Sequence, residues 1–322
     1  MSFSNKISIK EKRIIRYGII SWICLIIIIA IQSTGNNELP SDESRAENIM
    51  MDMLTIVSDY CNREGIFIDS IADPGKTGLI GPELTGIVTT LGDPEAKRTT
   101  IQPAFASLMV RLLKESGAEE GDTISLGCSG SFPGLLLASL AAARSMDLDC
   151  KTVISIGASS FGATRPEFNI LDIYQLLYES GIIDSEPAGV SLGGEGDTGG
   201  GWDPGIKKII INRIKESGYL FIDSQNLKTS VDQRDSLYGF TGGSGVKVFI
   251  NAGGAMANIG TSTSILGMKP GIVRKHRIPG INRQGSIHRA LKSGIPVIHL
   301  LNIKGLAQEY GLKWDPVMLA YY

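Results

Sequence analysis

Residues 123–134 read TISLGCSGSFPG. A short β-favouring run, Thr123 to Leu126, breaks into a Gly–Ser turn and then meets Pro133, a residue suited to the first turn of a helix; the pattern that follows predicts a helix from Phe132 to Met146. Two further runs end alike. Thr152 to Ile156 leads into Gly157-Ala158-Ser159-Ser160-Phe161-Gly162, and Val246 to Ile250 leads into Asn251-Ala252-Gly253-Gly254. A strand at Pro296 to Leu300 and one at Tyr219 to Ile222 complete the set. Helices are predicted over about Pro103 to Glu115, Ile170 to Glu179, Ile206 to Glu216, Ile287 to Lys292 and Ile303 to Tyr310. Strands alternating with helices imply an α/β fold, a mostly parallel sheet with helices on both faces.

Upstream, Ser41 or Asp42 is placed to cap a helix to about Arg63, with Ile49, Met53, Ile56 and Val57 as its apolar face and Gly65 as its end. Residues 73–100 are too broken by Gly and Pro for a long element. Residues 17–37 carry no charge and would span about 31 Å as a helix, one hydrocarbon core. Lys6, Lys10, Lys12, Arg13 and Arg16 precede that run, and Glu38, Asp42 and Glu43 follow it. The expected order is a cytoplasmic basic N-terminus (1–16), one transmembrane anchor (17–35), a linker (36–44) and a single extracytoplasmic α/β domain (45–322). A cleaved signal peptide is the competing reading, although the exit QSTGNN lacks a small-x-small cleavage site.

Composition narrows the function classes. Apolar residues are 43% and charged residues 20%, which excludes a disordered chain and a multi-span membrane protein. The 39 glycines follow no three-residue repeat. Four cysteines without metal-ligand spacing make neither a disulfide scaffold nor a zinc ribbon, and Cys61, Cys128 and Cys150 are expected as buried small residues. His276, His288 and His299 form no H-E-x-x-H motif, so no metal site is expected. Pro74-Gly75-Lys76-Thr77-Gly78 imitates the end of a phosphate-binding P-loop, but Ser70 stands where the first Gly belongs. No G-x-G-x-x-G with a ribose-binding acid is present, and no cofactor is indicated.

Charge is unevenly spread. Residues 1–235 carry 21 Lys/Arg against 31 Asp/Glu, whereas the 73 residues 236–308 carry nine Lys/Arg and no acid. Such a stretch suits an anionic ligand, polymer or membrane; its alternative is pairing with the acidic first half.

Ligands in an open α/β sheet bind beyond the carboxyl ends of the strands, where Gly–Ser turns present N–H groups and hydroxyls to anions or acyl oxygens. The candidate binding residues are therefore Gly127, Gly130, Ser131, Ser159, Ser160, Asn251, Gly253 and Gly254. Ser129 sits where a nucleophile elbow would, with Ser131 in place of the last Gly of G-x-S-x-G. His288 or His299 as base and Asp197 or Asp203 as orienter would complete a triad, but nothing in the sequence pairs them. The Gly-rich segment 193–201 reads as a mobile loop carrying Glu195 and Asp197, either solvated charges or groups that hold a cation or act as acid or base; Glu195 joins the candidate binding residues, and Asp197 joins Ser129 as a candidate catalytic residue.

Several blocks together resemble a known family. They are GLIGPELTGIVTTLG (78–92) leading to Ala96-Lys97-Arg98-Thr99, SGSFP (129–133), GASSFGA (157–163) and the Gly-Gly loop around Asp197. With an N-terminal anchor these are similar to the poly-gamma-glutamate system protein family, which accompanies the membrane ligase for that polymer and the ligase's small membrane partner. The resemblance covers about residues 45–322. It implies an accessory role in making, anchoring or exporting an anionic polyamide of the cell envelope or capsule. The implied partners are the membrane, the synthase subunits and the polymer, not nucleic acid, and Lys97 and Arg98 are implied as additional binding residues. A membrane-anchored hydrolase or amide-transferring enzyme with Ser129 as nucleophile is the alternative, and whether the chain is an enzyme stays open.

Overall fold

The computed structural model describes Trp22, residues 41–241 and residues 245–316. The expected anchor, 17–35, lies outside the described residues except for Trp22. Among the described residues no helix is long and apolar enough to cross a membrane.

The described residues from 41 onward form one compact unit. It opens with α1 (Ser41–Arg63), so residues 41–44 of the expected linker are helix. The helix buries Ala46, Met50, Met53, Leu54, Val57 and Cys61, a stripe at three- and four-residue spacing; Ile49 and Ile56 lie at its margin, not its centre. The broken stretch holds two short elements, β1 (Val88–Thr90) and α2 (Pro94–Thr100). Asp93 caps α2 by accepting from the Glu95 N–H at 3.1 Å, and Pro94 opens it.

From here the alternation runs α3 (Ala104–Ser116), β2 (Thr123–Ser129), α4 (Pro133–Ser145), β3 (Asp149–Ser155), β4 (Ala158–Ser159), α5 (Ile170–Glu179), β5 (Gly189–Ser191), α6 (Pro204–Glu216) and α7 (Leu227–Tyr238). After these come β6 (Phe249–Ala252), α8 (Met256–Ile259), β7 (Gly271–Val273), α9 (Ser286–Lys292), β8 (Val297–Leu300) and α10 (Ile303–Tyr310). No strand forms at 219–222: Phe221 makes a single bridge to Val190 at the sheet edge. The helix α7 and the strand β7 were not anticipated; α7 is mostly polar, and β7 is three residues long.

The main sheet has the order β5-β3-β2-β6-β8-β7, parallel throughout except for β7, which pairs antiparallel to β8. A separate parallel pair joins β1 to β4. From β2 the chain steps outward to β3 and β5, then returns to place β6 on the opposite side of β2. The order therefore reverses between β2 and β6, and their carboxyl ends bound the switch-point crevice.

The faces follow the two-residue period of the strands. Ile124, Leu126, Cys128, Ile154, Ile250 and Leu300 share a core with α1, α3 and α4. Within it α4 is buried almost all round, its Ala138 and Ala141 to Ala143 permitting close approach. On the other face Val153, Phe249 and Val297 meet Tyr238 of α7, Phe240 and Ile287 of α9. Cys61, Cys128 and Cys150 are free and buried, and burial raises the Cys61 thiol to about 11 and the Cys150 thiol to about 12.

Candidate functional site

The strand β2 runs three residues beyond its expected end, so Gly127, Cys128 and Ser129 lie within the sheet. The turn proper is Gly130 to Phe132, stacked on the turn that follows β3. The Gly130 N–H donates to Ser155 O at 3.0 Å, and Ala163 N–H donates to Gly130 O at 2.7 Å. A Cβ on Gly130 would stand 2.5 Å from Ile156 O, so only glycine lets the two turns close on each other. The Ser159 N–H then donates to Ser131 Oγ at 3.0 Å, bringing the hydroxyl-bearing residues of both turns together.

Lys97 enters this junction from α2. Its side chain is buried, 2% exposed, and its Nζ donates to Ser131 O at 2.5 Å. The same Nζ lies 2.6 Å from Ser159 Oγ and 3.6 Å from the centroid of the Phe132 ring. Among the described residues it makes no ion pair. Burial brings its pKa down to about 7, against the upward pull of the Asp93 charge. Phe132 is also the N-cap of α4 and offers that helix no side-chain acceptor. The positive end of the helix and a lysine thus share one place, an arrangement that favours either a neutral amine or an anion between them.

Across the crevice, the Ser129 hydroxyl is buried and has no hydrogen-bond partner among the described residues, as is also true of Ser160. Gly253 faces Ser129 from the end of β6. Its φ is +107°, and a Cβ there would lie 2.9 Å from Ser129 Oγ and 3.6 Å from Phe132 Cδ2. Gly254, next in the chain, is exposed. Asn251 points to the other side, its Nδ2 donating to Gly253 O at 2.8 Å and lying 3.2 Å from His299 Nδ1. No histidine is bonded to Ser129. His288 Nδ1 accepts from Gly285 N–H at 3.1 Å, and burial lowers both His288 and His299 to about 4. Asp203 is a helix cap, accepting from Gly205 and Ile206 N–H at the start of α6.

Ser129, Ser155 and Ser191 occupy one row across β2, β3 and β5. The outer two are taken by a buried ion pair. Arg234 Nη2 donates to Ser155 Oγ at 3.0 Å, Ser191 Oγ at 2.7 Å and Asp197 Oδ2 at 2.8 Å. Asp197 also accepts from Ser191 at 2.9 Å and from the Ser230 hydroxyl. Both side chains of the pair are at most 1% exposed. The Gly-rich segment is therefore pinned to the sheet by Asp197 instead of hanging free, and the carboxylate is fully engaged by its partners. Only Glu195 is a solvent-facing loop charge. Arg234 belongs to the unanticipated α7, and nothing local in the sequence links it to Asp197.

Arg98 is turned away from Lys97, bonding Asp315 at 2.5 and 2.9 Å and Ala72 O at 3.3 Å. Within the acid-free stretch, Lys247 pairs with Asp122 at 3.5 Å and Arg289 with Asp232 at 2.9 Å. Arg274 donates to Glu115 O at 2.7 Å. Among the described residues Lys269, Lys275, Arg277, Arg283, Lys292 and Lys304 make no ion pair, so pairing with the acidic half absorbs only part of the basic excess. No group of three or more His, Cys, Asp or Glu among the described residues is placed to hold a metal ion. Comparison with protein-family models, curated proteins and solved structures finds no match to this chain.

Proposed function

We propose that this chain is a membrane-anchored accessory component of poly-gamma-glutamate synthesis or export whose α/β domain binds the anionic polyamide at the strand-end crevice. The observation that carries the reading is the buried Lys97, without an acidic partner at bonding distance, set against Ser159 and the Phe132 ring at the N-cap of α4, a helix start that no side chain caps. A carboxylate placed beside Nζ would meet a cation, the dipole of α4 and the Ser159 hydroxyl at once. The unpaired, exposed Lys269, Lys275, Arg277 and Arg283 supply a field that draws a polyanion to the domain. The anchor and the extracytoplasmic placement rest on residues 1–44 of the sequence, and the synthase subunits are the partners that an anchored polymer-binding domain would serve.

The test is binding of fluorescent poly-gamma-glutamate to the full chain in detergent micelles across salt. Affinity is expected to fall steeply between about 50 mM and about 500 mM salt, as the Debye length shortens. It is also expected to drop at least about tenfold in Lys97→Met, the loss of one buried charge-assisted contact. No binding even at low salt would sink the reading. An enzyme is the second reading, favoured by the partnerless Ser129 hydroxyl, although the described residues provide that serine with no bonded base.

A further inference from the structure

We propose that Ser159 and Lys97 form a serine–lysine acyl-transfer pair, with Ser159 as nucleophile and Lys97 as its general base, acting on an amide of an acyl chain bound in the crevice. The polyamide as substrate class rests on the reading above; the pair itself rests on geometry. Nζ and Oγ are 2.6 Å apart, within reach of direct proton transfer. The amine is oriented by a second contact, the 2.5 Å bond to Ser131 O, and by the Phe132 ring beneath it. The Ser159 backbone is held by its N–H donating to Ser131 Oγ, so both members are fixed by the same turn.

Enclosure keeps the base usable. Lys97 is 2% exposed and Ser159 8%, while their neighbours Ser131 and Phe132 are half-buried, so the amine is shielded from water beneath a partly exposed turn. Gly92 closes the opposite side by packing directly on the turn: a Cβ there would stand 3.1 Å from Ser159 Oγ and 2.5 Å from Ser160 O. With its pKa brought to about 7 by burial, and with Asp93 as the only charged group shifting it, Lys97 is substantially neutral at neutral pH.

In the forward step the neutral amine takes the Ser159 hydroxyl proton as Oγ attacks the amide carbonyl carbon. The tetrahedral adduct collapses by breaking the C–N bond, and the departing amine takes the proton back from the Lys97 ammonium. This leaves an ester on Ser159. Water, giving a proton to the regenerated amine, attacks that ester and frees a carboxylic acid and Ser159. The sum is one amide and one water to one acid and one amine; an amine acceptor in place of water gives transfer instead.

The experiment exposes the full chain in detergent to a fluorophosphonate probe from about pH 5 to about pH 9, maps the modified residue by mass, and follows poly-gamma-glutamate binding and chain length in parallel. Modification is expected at Ser159, with a rate rising through about pH 7 in the native chain. It should be absent in Ser159→Ala and slower by roughly 10²-fold or more in Lys97→Arg, which keeps a cation but cannot lose its proton. The pH profile of the native chain needs no variant and stands even where Lys97→Arg fails to fold. Modification at Ser129, or none in a chain that still binds polymer, overturns the pair and leaves the binding reading in place. Modification at Ser159 without any polymer binding supports the pair and removes the polyamide as its ligand.

Discussion

Lys97 is an amine where a positive charge is costly, buried and set at the positive end of α4, and that cost is a reason to look for function rather than stability there. Two glycines make the place possible, Gly130 by letting the turns close and Gly253 by keeping a Cβ off the buried Ser129 hydroxyl. Gly253→Ala would force a side chain to φ near +107° and push its Cβ to 2.9 Å from Ser129 Oγ. The expected cost is about 1–3 kcal/mol in urea unfolding, together with weaker polymer binding. Ser129→Ala, which removes a hydroxyl without a partner, should change stability by no more than about 0.5 kcal/mol in the same measurement. A large loss from Ser129→Ala would mean that the hydroxyl is bonded after all. The Gly–Ser turns were legible in the sequence because turns demand those residues locally, and the resemblance pointed to Lys97, but which hydroxyl is left without a partner and which one Lys97 meets were not.

Among the elements, α7 illustrates what patterning misses. Its Asn226 cap and Gly239 exit are ordinary local signals, yet its polar composition gives no apolar stripe to read. Its role is carried by one residue, Arg234, which reaches over the ends of β3 and β5 to hold the Gly-rich loop through Asp197. Removing one partner of a fully buried pair strands the other. Arg234→Met and Asp197→Asn are each expected to cost about 3–5 kcal/mol, while the double variant should cost less than the sum. Urea unfolding of the four chains closes the cycle, and limited proteolysis should find new cleavage within residues 193–201 in either single variant. Strict additivity would show that the loop is held by something other than this pair. By the same logic, no third side chain is free to recruit Asp197 as an acid or base while Arg234 holds it.

For the molecule as a whole, the buried ionisable groups set a pH window. His288 on α9 and His299 on β8 are both lowered by burial to about 4, so the unfolded chain takes up their protons first as pH falls from 6.5. Stability is therefore lost from pH 6.5 downward to about 4. Asp235, raised to about 6 mainly by burial, works the other way, losing stability as pH rises from 3.8 through its folded value, and Asp73, Asp172 and Glu47, raised by the same cause, add to it. Lys97, brought from 10.5 to about 7, makes stability rise with pH between those values. Below pH 6.5 the histidines and the raised carboxylates thus oppose each other, and urea unfolding at a series of pH values should show ΔG rising from about pH 7 to about pH 8 on the Lys97 limb, before the raised Cys61 and Cys150 thiols work against it. His299→Asn should make ΔG rise less, or fall more, with pH between 4 and 6.5 than in the native chain, and an unchanged pH dependence there would contradict the burial of that imidazole.

The helices α5 and α10 begin and end where the sequence places them, since an Asn cap opens each of them and Ser180 and Gly311 close them, all signals within a few residues of the ends. The parallel α/β character was equally readable, because strand and helix periods alternate along the chain. The site was not. The Lys97–Ser159 contact joins residues 62 apart, and the Arg234–Asp197 pair joins residues 37 apart. β6 faces β2 only because the chain doubles back across the sheet. Local propensity acts over a turn or two, whereas these encounters are set by which apolar faces bury together and by the loops that allow it. Lone residues such as Lys97 and Arg234 therefore acquired their chemistry only on folding.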